Sequence, residues 1–418
     1  MGPITLFDKS FLQSLNIDES VWFDHHFLTN VCPMFYVETL ADLDKSVREG
    51  RTPEQEVGII ASKFPEMHSS PNAHHAALSL ANLMGYPVPM DGRIPLACGR
   101  PVKTDDRTGV VFDRSPEADA FARWQRGEFR EIERLFARDW REALRTLDLN
   151  QIAAGFRAIG IDGKNCKTLE DARAIAIAVA AGRDKPFDRM KLAILFLGIP
   201  PERHRSILER WNVAGYPPLV EYAPYTAHVL TVEVFFQLAI AANLISADRA
   251  SNRLDIAYLY YLPFCMLFVS SDRLHERCAP LFLRKDQEFV WGSDLKADLK
   301  SLNAHYAALP EATKEQGIMS FASGPPKDGN FLVTRIWDHH LPKWRRIRDE
   351  PKLPRDPEKE AALVKKLKEV TKAPTLSPAE VDFDLHNPDS LSIQRFVAKR
   401  KGSWWQLPKD LEVSEEKD

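Results

Sequence analysis

Acidic residues follow two strand-like segments of this sequence and are its clearest candidates for chemistry. Asp8 follows the β-prone run Ile4–Phe7, and Asp272 follows the apolar run 264–269 after two serines. An apolar run of this length is typical of a fully buried strand. Because open α/β sheets bind ligands at the carboxyl ends of their strands, we expect both carboxylates to lie at that edge of a sheet.

Three further acids lie in segments with helical spacing of apolar residues. Asp255 lies in the predicted helix 246–261, and Glu38 and Asp42 lie in the predicted helix 33–47. Residues four apart share a helix face. Two like charges about 4 Å apart cost roughly 1 kcal/mol in water and roughly 4 kcal/mol at an effective dielectric near 20. A cluster of these carboxylates therefore needs a counter-charge.

Hard divalent cations are the natural counter-charge for carboxylate oxygens. We therefore predict a Mg²⁺ or Mn²⁺ site formed by Asp8, Asp255 and Asp272 with either Glu38 or Asp42. A metal held in this way can activate water and stabilise an in-line displacement at phosphorus.

The elements that would position these acids are far apart along the chain. We predict a core formed by residues 1–64 and 226–300, interrupted by an all-helical insertion at 65–225. Residues 301–418 are predicted to form a partly ordered C-terminal appendage. The insertion shows Pro and Gly breaks between segments of helical periodicity, at 115–147, 169–181, 188–197 and 201–211.

The acids and their neighbours resemble the PIN domain, a family of metal-dependent ribonucleases with a parallel-sheet α/β/α fold. The resemblance rests on Asp8 with Ser10 two residues later, on YVETLADL in the second helix, and on Asp255 with Asp272 seventeen residues later. It covers roughly residues 1–64 and 226–300. The chain departs from the compact family pattern, because more than 200 residues separate the second acid from Asp255.

The resemblance implies a three-layer α/β/α core and hydrolysis of RNA phosphodiesters by metal-activated water. It gives catalytic and metal-binding roles to Asp8, Asp255 and Asp272, and a supporting role to Ser10. The segment 39–43 resembles the family's Thr-x-Ala-Glu-Leu and favours Asp42, whereas Glu38 has the commoner side chain; we place Glu38 first and retain Asp42.

Because the family includes bacterial toxin nucleases, RNA is the expected substrate, and an inhibitor, an antitoxin or another protein is a compatible partner. Self-association into a homo-oligomer is equally compatible with the sequence. The rival hypothesis is a non-catalytic PIN-like scaffold that binds RNA or protein, with acids too far apart to hold a metal.

Two Asp-His-His triplets, at 24–26 and 338–340, match the signature of a Mn²⁺-dependent phosphoesterase family. That family also needs Asp-x-Asp after an earlier strand, which is lacking here. Two basic segments of the appendage contain tryptophan, one around Trp344 and one at 395–405. Such segments bind nucleic acid through charge and stacking, or they serve as solvated or docking arms.

Composition and charge set outer limits on function. The 418 residues are 44% hydrophobic and 10% aromatic, which excludes wholesale disorder. The net charge of −3 neither favours nor excludes nucleic acid. Five dispersed cysteines without CxxC spacing, no signal-peptide pattern and no sufficiently long apolar run lead us to expect a cytoplasmic protein without membrane contact.

Overall fold

Five parallel strands form the sheet at the centre of the molecule. The computed structural model describes residues 2–45, 50–97, 99–103, 108–158, 163–327, 330–349, 357–376, 391–393, 395 and 397–411. In spatial order the central strands are Ser69–Pro71 (β3), Leu28–Val31 (β2), Ile4–Phe7 (β1), Leu267–Ser270 (β6) and Glu288–Trp291 (β7). With helices packed around it, this sheet is consistent with a three-layer α/β/α arrangement.

The register confirms that the two halves of the predicted core share one sheet. Strands β1 and β6 pair directly in parallel, with Thr5 opposite Leu267 and Phe7 opposite Val269. All four residues of β6 are buried, as its apolar composition predicts. The chain therefore returns after more than 200 residues to place a strand beside the one with which it began.

The remaining strands form two small sheets. Strands Gly99–Lys103 (β4) and Thr108–Phe112 (β5) pair with each other, and β5 also pairs with Leu391–Ile393 (β8). Strands Arg400–Lys401 (β9) and Trp404–Trp405 (β10) form an antiparallel hairpin. The prediction that 65–225 is all-helical is therefore wrong, because β3, β4 and β5 lie within it.

Helices make up most of the other described residues. The α-helices are Lys9–Ser14 (α1), Ile17–His26 (α2), Pro33–Leu40 (α3), Pro53–Lys63 (α4), His75–Leu83 (α5), Pro116–Gln125 (α6), Glu131–Thr146 (α7), Leu149–Ala158 (α8), Leu169–Ala181 (α9), Pro186–Phe196 (α10), Pro201–Val213 (α11), Leu219–Tyr222 (α12), Pro224–Ala241 (α13), Asn252–Ala257 (α14), Arg273–Cys278 (α15), Gly292–Ala307 (α16), Glu311–Lys314 (α17), Ile318–Phe321 (α18), Leu332–His340 (α19), Trp344–Asp349 (α20) and Pro357–Lys372 (α21). The 3₁₀ segments are Ala41–Asp44, Tyr258–Phe264 and Ala279–Leu281.

The hydrophobic pattern of the sequence does not predict strands β2 and β3, because both contain polar residues. Strand β2 contains Thr29 and Asn30, and β3 is Ser-Ser-Pro, so neither has the apolar content expected of a buried strand. The Asn30 amide donates to the Phe264 carbonyl at 2.8 Å and accepts a hydrogen bond from Asn72 at 3.0 Å. Its buried polar atoms are thus satisfied by tertiary contacts that the sequence does not reveal.

Helix α13 is buried around most of its circumference, in agreement with its apolar sequence. Its one acid, Glu233, forms an ion pair with Arg253 and accepts a hydrogen bond from Tyr260. Charge on this helix is therefore neutralised inside the protein. None of the described helices combines the length and apolar character that a membrane span requires.

The C-terminal appendage packs against the core through tryptophans. The indole rings of Trp404 and Trp22 meet at 4.7 Å between centroids, and the Trp337 indole donates to the His26 carbonyl at 2.9 Å. Trp344 and Trp404 are both buried, so neither is exposed for stacking on a base. The appendage is predicted to be partly ordered. Part of that prediction falls on residues 350–356, 377–390 and 412–418, which lie outside the described residues.

Asn303 joins the appendage to the core, which gives a first prediction. Its side-chain oxygen accepts hydrogen bonds from the buried indoles of Trp22 at 3.0 Å and Trp404 at 2.8 Å. Substitution Asn303→Ala leaves both donors unsatisfied, so we expect the free energy of unfolding to fall by about 1–3 kcal/mol for each donor. Urea denaturation measures the change.

The control is Lys300→Ala, at an exposed position of the same helix. It should alter the free energy of unfolding by no more than about 0.5 kcal/mol. If Asn303→Ala is as stable as this control, the two indole hydrogen bonds do not hold the appendage in place.

Candidate active site

Asp8 lies at the carboxyl end of β1 and is fixed by four hydrogen-bond donors. One carboxylate oxygen accepts from the Phe11 amide at 2.9 Å, which caps helix α1. The other accepts from the hydroxyls of Ser10 and Ser270, each at 2.7 Å, and lies 3.3 Å from Nδ1 of His275. Asp8 is buried, and its orientation is therefore set by β1, α1 and β6 together.

His275 supplies a positive charge beneath the acids. Its Nε2 donates to the backbone carbonyl of Asp255 at 2.7 Å, and the ring is 1% exposed. Burial alone would lower the pKa of His275, but the hydrogen bond and charge of Asp8 outweigh it and raise the pKa to about 9. The pKa of Asp8 is correspondingly lowered, because His275 more than offsets the effect of burial. At neutral pH the two form an ion pair.

Asp255 carries a charge that its surroundings compensate only in part. It lies in helix α14, and no described residue donates a hydrogen bond to its carboxylate. Burial is the largest influence on its pKa and raises it to about 7; the positive charge of His275 lowers the pKa in part, and the charges of Glu38, Asp272 and Asp8 add to the rise. The four acids Asp8, Glu38, Asp255 and Asp272 are therefore within electrostatic reach of one another, and we call them the acid cluster.

Glu38 and Asp42 both contact Lys9, but only Glu38 belongs to the acid cluster. One oxygen of Glu38 accepts from the Tyr258 hydroxyl at 2.8 Å, and the other lies 3.5 Å from Nζ of Lys9. Asp42 is 2% exposed and accepts from Lys9 at 2.9 Å and from Arg141 at 3.0 Å. Both oxygens of Asp42 face cations, whereas one oxygen of Glu38 faces a cation and the other a hydroxyl.

Asp272 and Ser10 complete the edge of the sheet. Asp272 caps helix α15, since one carboxylate oxygen accepts from the Leu274 amide at 2.6 Å, and its second oxygen has no donor among the described residues. Ser10 donates to Asp8 and accepts from the Ser271 amide at 3.3 Å. Ser10 thus ties the start of α1 to the loop that carries Asp272, which is a supporting position.

The acid cluster suits a divalent cation in its chemistry, although its ligands are not preassembled. In the described part of the chain, no three His, Cys, Asp or Glu side chains are grouped so as to hold a metal ion. Five acids at this edge, Asp8, Glu38, Asp42, Asp255 and Asp272, face four cations, Lys9, Lys45, Arg141 and His275, when all ionise. Carboxylate oxygens are the donors that Mg²⁺ and Mn²⁺ prefer.

The Asp-His-His triplets have structural roles. Asp24 accepts hydrogen bonds from the backbone amides of residues 66, 67 and 68 at 2.7–2.8 Å, so it shapes a loop. Asp338 pairs with Arg345 at 2.8 Å and accepts from the Trp344 indole. Neither acid joins the acid cluster.

Residues that sequence inspection did not single out contribute much of the electrostatics. Ser270 and His275 neutralise and orient Asp8, while Lys9 and Tyr258 contact Glu38. The only sequence signal for His275 is its position three residues after Asp272, on the helix that Asp272 caps. Lys9 lies between Asp8 and Ser10, and a charged residue next to a strand end is normally expected to be exposed to solvent.

Comparison of the chain with models of protein families, with curated proteins and with solved structures found no match. The resemblance to the PIN family therefore rests on the residues quoted above.

Asp255 gives a prediction about pH and stability. Its carboxyl has a pKa of about 7 in the folded protein against the ordinary 3.8, so the folded state holds the proton more tightly than the unfolded chain. The contribution of the protonated Asp255 to the free energy of unfolding is complete below about pH 4 and is lost as pH rises through 7. Asparagine does not ionise, so Asp255→Asn should not lose stability over this pH range. In metal-free buffer near pH 8 we expect the variant to be more stable than the native protein by about 1–3 kcal/mol, after allowance for partial solvent screening.

Guanidinium denaturation with EDTA, at about pH 5 and about pH 8, measures the difference. The matched control is Asp294→Asn, at an exposed position of α16, which should leave the pH dependence unchanged. A native-like pH profile for Asp255→Asn would show that the pKa of Asp255 is not raised in the folded protein.

Proposed function

We propose that this protein is a Mg²⁺- or Mn²⁺-dependent nuclease with a PIN-like core, and that its substrate is RNA. The observation that supports the proposal is Asp255, whose pKa is raised to about 7 by burial and by Glu38, Asp272 and Asp8, although the positive charge of His275 lowers it in part. Acids kept close together without sufficient counter-charge are costly to the fold, and this cost is typical of functional sites. A nuclease site explains why the acids are there.

The chain's own residues would divide the work between holding the ion and fixing its surroundings. Glu38, Asp255 and Asp272 each have carboxylate capacity that the described contacts leave unused, so they would hold the ion. Asp8 would contribute charge and keep His275 in place through their 3.3 Å contact. The ion, when bound, supplies activation of water and neutralisation of charge at phosphorus. The resemblance implies products with a 5′-phosphate and a 3′-hydroxyl.

Lys9 and His275 limit the negative charge that a polyanionic substrate meets. Lys9 is buried between Glu38 and Asp42, and His275 is buried between Asp8 and the Asp255 carbonyl. Neither is exposed enough to bind the substrate itself. Their role in the proposal is to hold the acids in position.

A second candidate function is a non-catalytic scaffold that binds RNA or protein. It is favoured by the absence of a ready three-ligand group among the described residues, and by the neutralisation of Asp8 and Asp42 within the protein. In a scaffold the remaining acids would be left from an ancestral site. The two candidates differ in whether the protein binds Mn²⁺.

Metal binding can be measured without any substrate. We expect isothermal titration with Mn²⁺ near pH 8 to show one site in the native protein, and Asp255→Asn and Asp272→Asn to weaken it at least about tenfold, because each removes a ligand oxygen and a charge. The exposed Asp294→Asn variant should bind Mn²⁺ like the native protein. No Mn²⁺ binding by the folded native protein would favour the scaffold.

Cleavage tests the reaction itself. Purified protein incubated with mixed RNAs should degrade them with Mn²⁺ and not with EDTA, and Asp8→Asn or Asp272→Asn should abolish cleavage, since each removes an acid from the site. Circular dichroism checks that these variants stay folded, and Asp294→Asn again serves as the control. Full activity in both acid variants would refute the assignment of the site, and RNA bound without cleavage by the native protein would favour the scaffold.

A further inference from the structure

An arginine and a tryptophan lie against each other beside the acid cluster. The Arg273 guanidinium lies 4.7 Å from the centroid of the Trp291 ring. Arg273 directly follows Asp272 and begins helix α15, while Trp291 is the last residue of β7. Trp291 is partly exposed and Arg273 is 76% exposed, so the pair presents both an aromatic and a cationic surface to solvent.

The strand register places Trp291 in line with the first acid of the cluster. Trp291 is the direct neighbour of Ser270 in the β6–β7 pair. Ser270 in turn donates to Asp8, which extends the β1–β6 pairing through the hydrogen bond of its amide to the Val269 carbonyl. Asp8, Ser270 and Trp291 therefore form a row across three strands. With neighbouring strands about 4.8 Å apart, Trp291 lies roughly 10 Å from Asp8 along this row.

The side chain of Trp291 points to the face of the sheet where the acid cluster lies. Laterally paired residues of parallel strands project to the same face. Ser270 projects toward His275, because its hydroxyl lies 2.8 Å from Nδ1 of that ring. Trp291 shares this face, which is why it meets Arg273 at the beginning of α15.

Gly292 fixes Trp291 relative to the loop that carries Asp272. A Cβ atom at position 292 would collide with the Ser271 hydroxyl and press on the Phe11 ring. The backbone after Trp291 can therefore approach the Ser271–Asp272 loop closely only because residue 292 is a glycine. The Arg–Trp pair is thus held by the same backbone contacts that hold the acid, not by a mobile surface segment.

Arg273 retains its capacity to bind an anion. Its described ionic partner is Glu276 at 2.6 Å, one turn along α15, with 41% of that side chain exposed. Exposed pairs of this kind contribute little to stability, so a phosphate can compete for the guanidinium. The planar fork of arginine suits phosphate oxygens and also stacks on bases.

We propose that Trp291 and Arg273 form a nucleotide platform for single-stranded nucleic acid, with one base stacked on the exposed Arg–Trp surface and an adjacent phosphate at Arg273. This inference rests on the proposed function, because the bound nucleic-acid strand would run from the platform to the acid cluster. A base within a duplex is covered by its neighbours and cannot stack here, so the platform selects unpaired substrate. Stacking on an aromatic side chain needs no particular base, so the platform carries no sequence preference.

The test measures binding and cleavage separately. Fluorescence anisotropy of a labelled single-stranded RNA is recorded in EDTA and again in Ca²⁺, for the native protein and for Trp291→Ala, Trp291→Phe and Arg273→Ala. Loss of one base-stacking contact should weaken binding about tenfold or more in Trp291→Ala, and phenylalanine should restore part of the affinity. Arg273→Ala should weaken binding and reduce its dependence on salt.

The chain provides a matched control in a second Arg–Trp pair. The Arg400 guanidinium lies 5.2 Å from the Trp405 ring centroid, on the β9–β10 hairpin. The platform requires Trp291→Ala to weaken RNA binding more than Trp405→Ala, and Arg273→Ala more than Arg400→Ala, whichever role the basic segment 395–405 has. Circular dichroism of every variant checks that a loss of binding is not a loss of fold.

Three results would overturn the platform. The first is that Trp291→Ala and Trp405→Ala bind single-stranded RNA with equal affinity. The second is that Trp291→Ala weakens the binding of duplex RNA as much as that of single-stranded RNA. The third is that the native protein binds no RNA in either EDTA or Ca²⁺. Failure of the proposed nuclease looks different: the RNA stays intact with Mn²⁺ while Trp291→Ala still weakens its binding. Conversely, Mn²⁺-dependent cleavage with an unchanged KM in Trp291→Ala would refute the platform and leave the nuclease standing.

Discussion

The buried ion pair between Asp8 and His275 is the interaction on which the rest of the candidate site depends. Through it and Ser270, the end of β1, the end of β6 and helix α15 meet at one point, and the other nitrogen of His275 reaches the α14 backbone at Asp255. Breaking a buried pair of this kind leaves an uncompensated charge, which costs far more than an exposed pair. Four separate segments of the chain are therefore positioned by one charge pair.

The carboxylates at this edge of the sheet are neutralised to different extents. Asp42 faces three cations, Lys9, Arg141 and, at 3.8 Å, Lys45, and Asp8 faces His275 together with two hydroxyl donors, whereas the Asp255 carboxylate accepts no hydrogen bond from the described residues. A structural cluster would be expected to neutralise every buried carboxylate, since an unpaired one lowers stability. The uneven distribution distinguishes Asp8 and Asp42, which the protein itself neutralises, from Asp255, whose carboxylate accepts no hydrogen bond from the described residues.

The sequence was sufficient for those elements whose pattern is set locally. The apolar β6, the first strand and the alanine-rich α9 match their predicted positions because burial and helix capping dictate them. It was insufficient for β2, whose buried Asn30 is satisfied by tertiary contacts, and for β3, whose Ser-Ser-Pro sequence has no apolar pattern. At the site, strand-end acids were predictable from position alone. His275 and Lys9 were not, because their importance lies in which carboxylate each one meets after folding.

The long segment between β1 and β6 interrupts the core in sequence, and it also contributes to the candidate site. Strands β1 and β6 are adjacent in space, yet most of the helices and two small-sheet strands, β4 and β5, lie between them in sequence. A loop of that length adds little to the entropy of closing the sheet, since this entropy grows only with the logarithm of loop length. The insertion also contributes Arg141 of α7, which neutralises Asp42. The inserted segment therefore takes part in the electrostatics of the edge that it interrupts, and removing it would expose a buried carboxylate with only Lys9 and the outlying Lys45 as counter-charge.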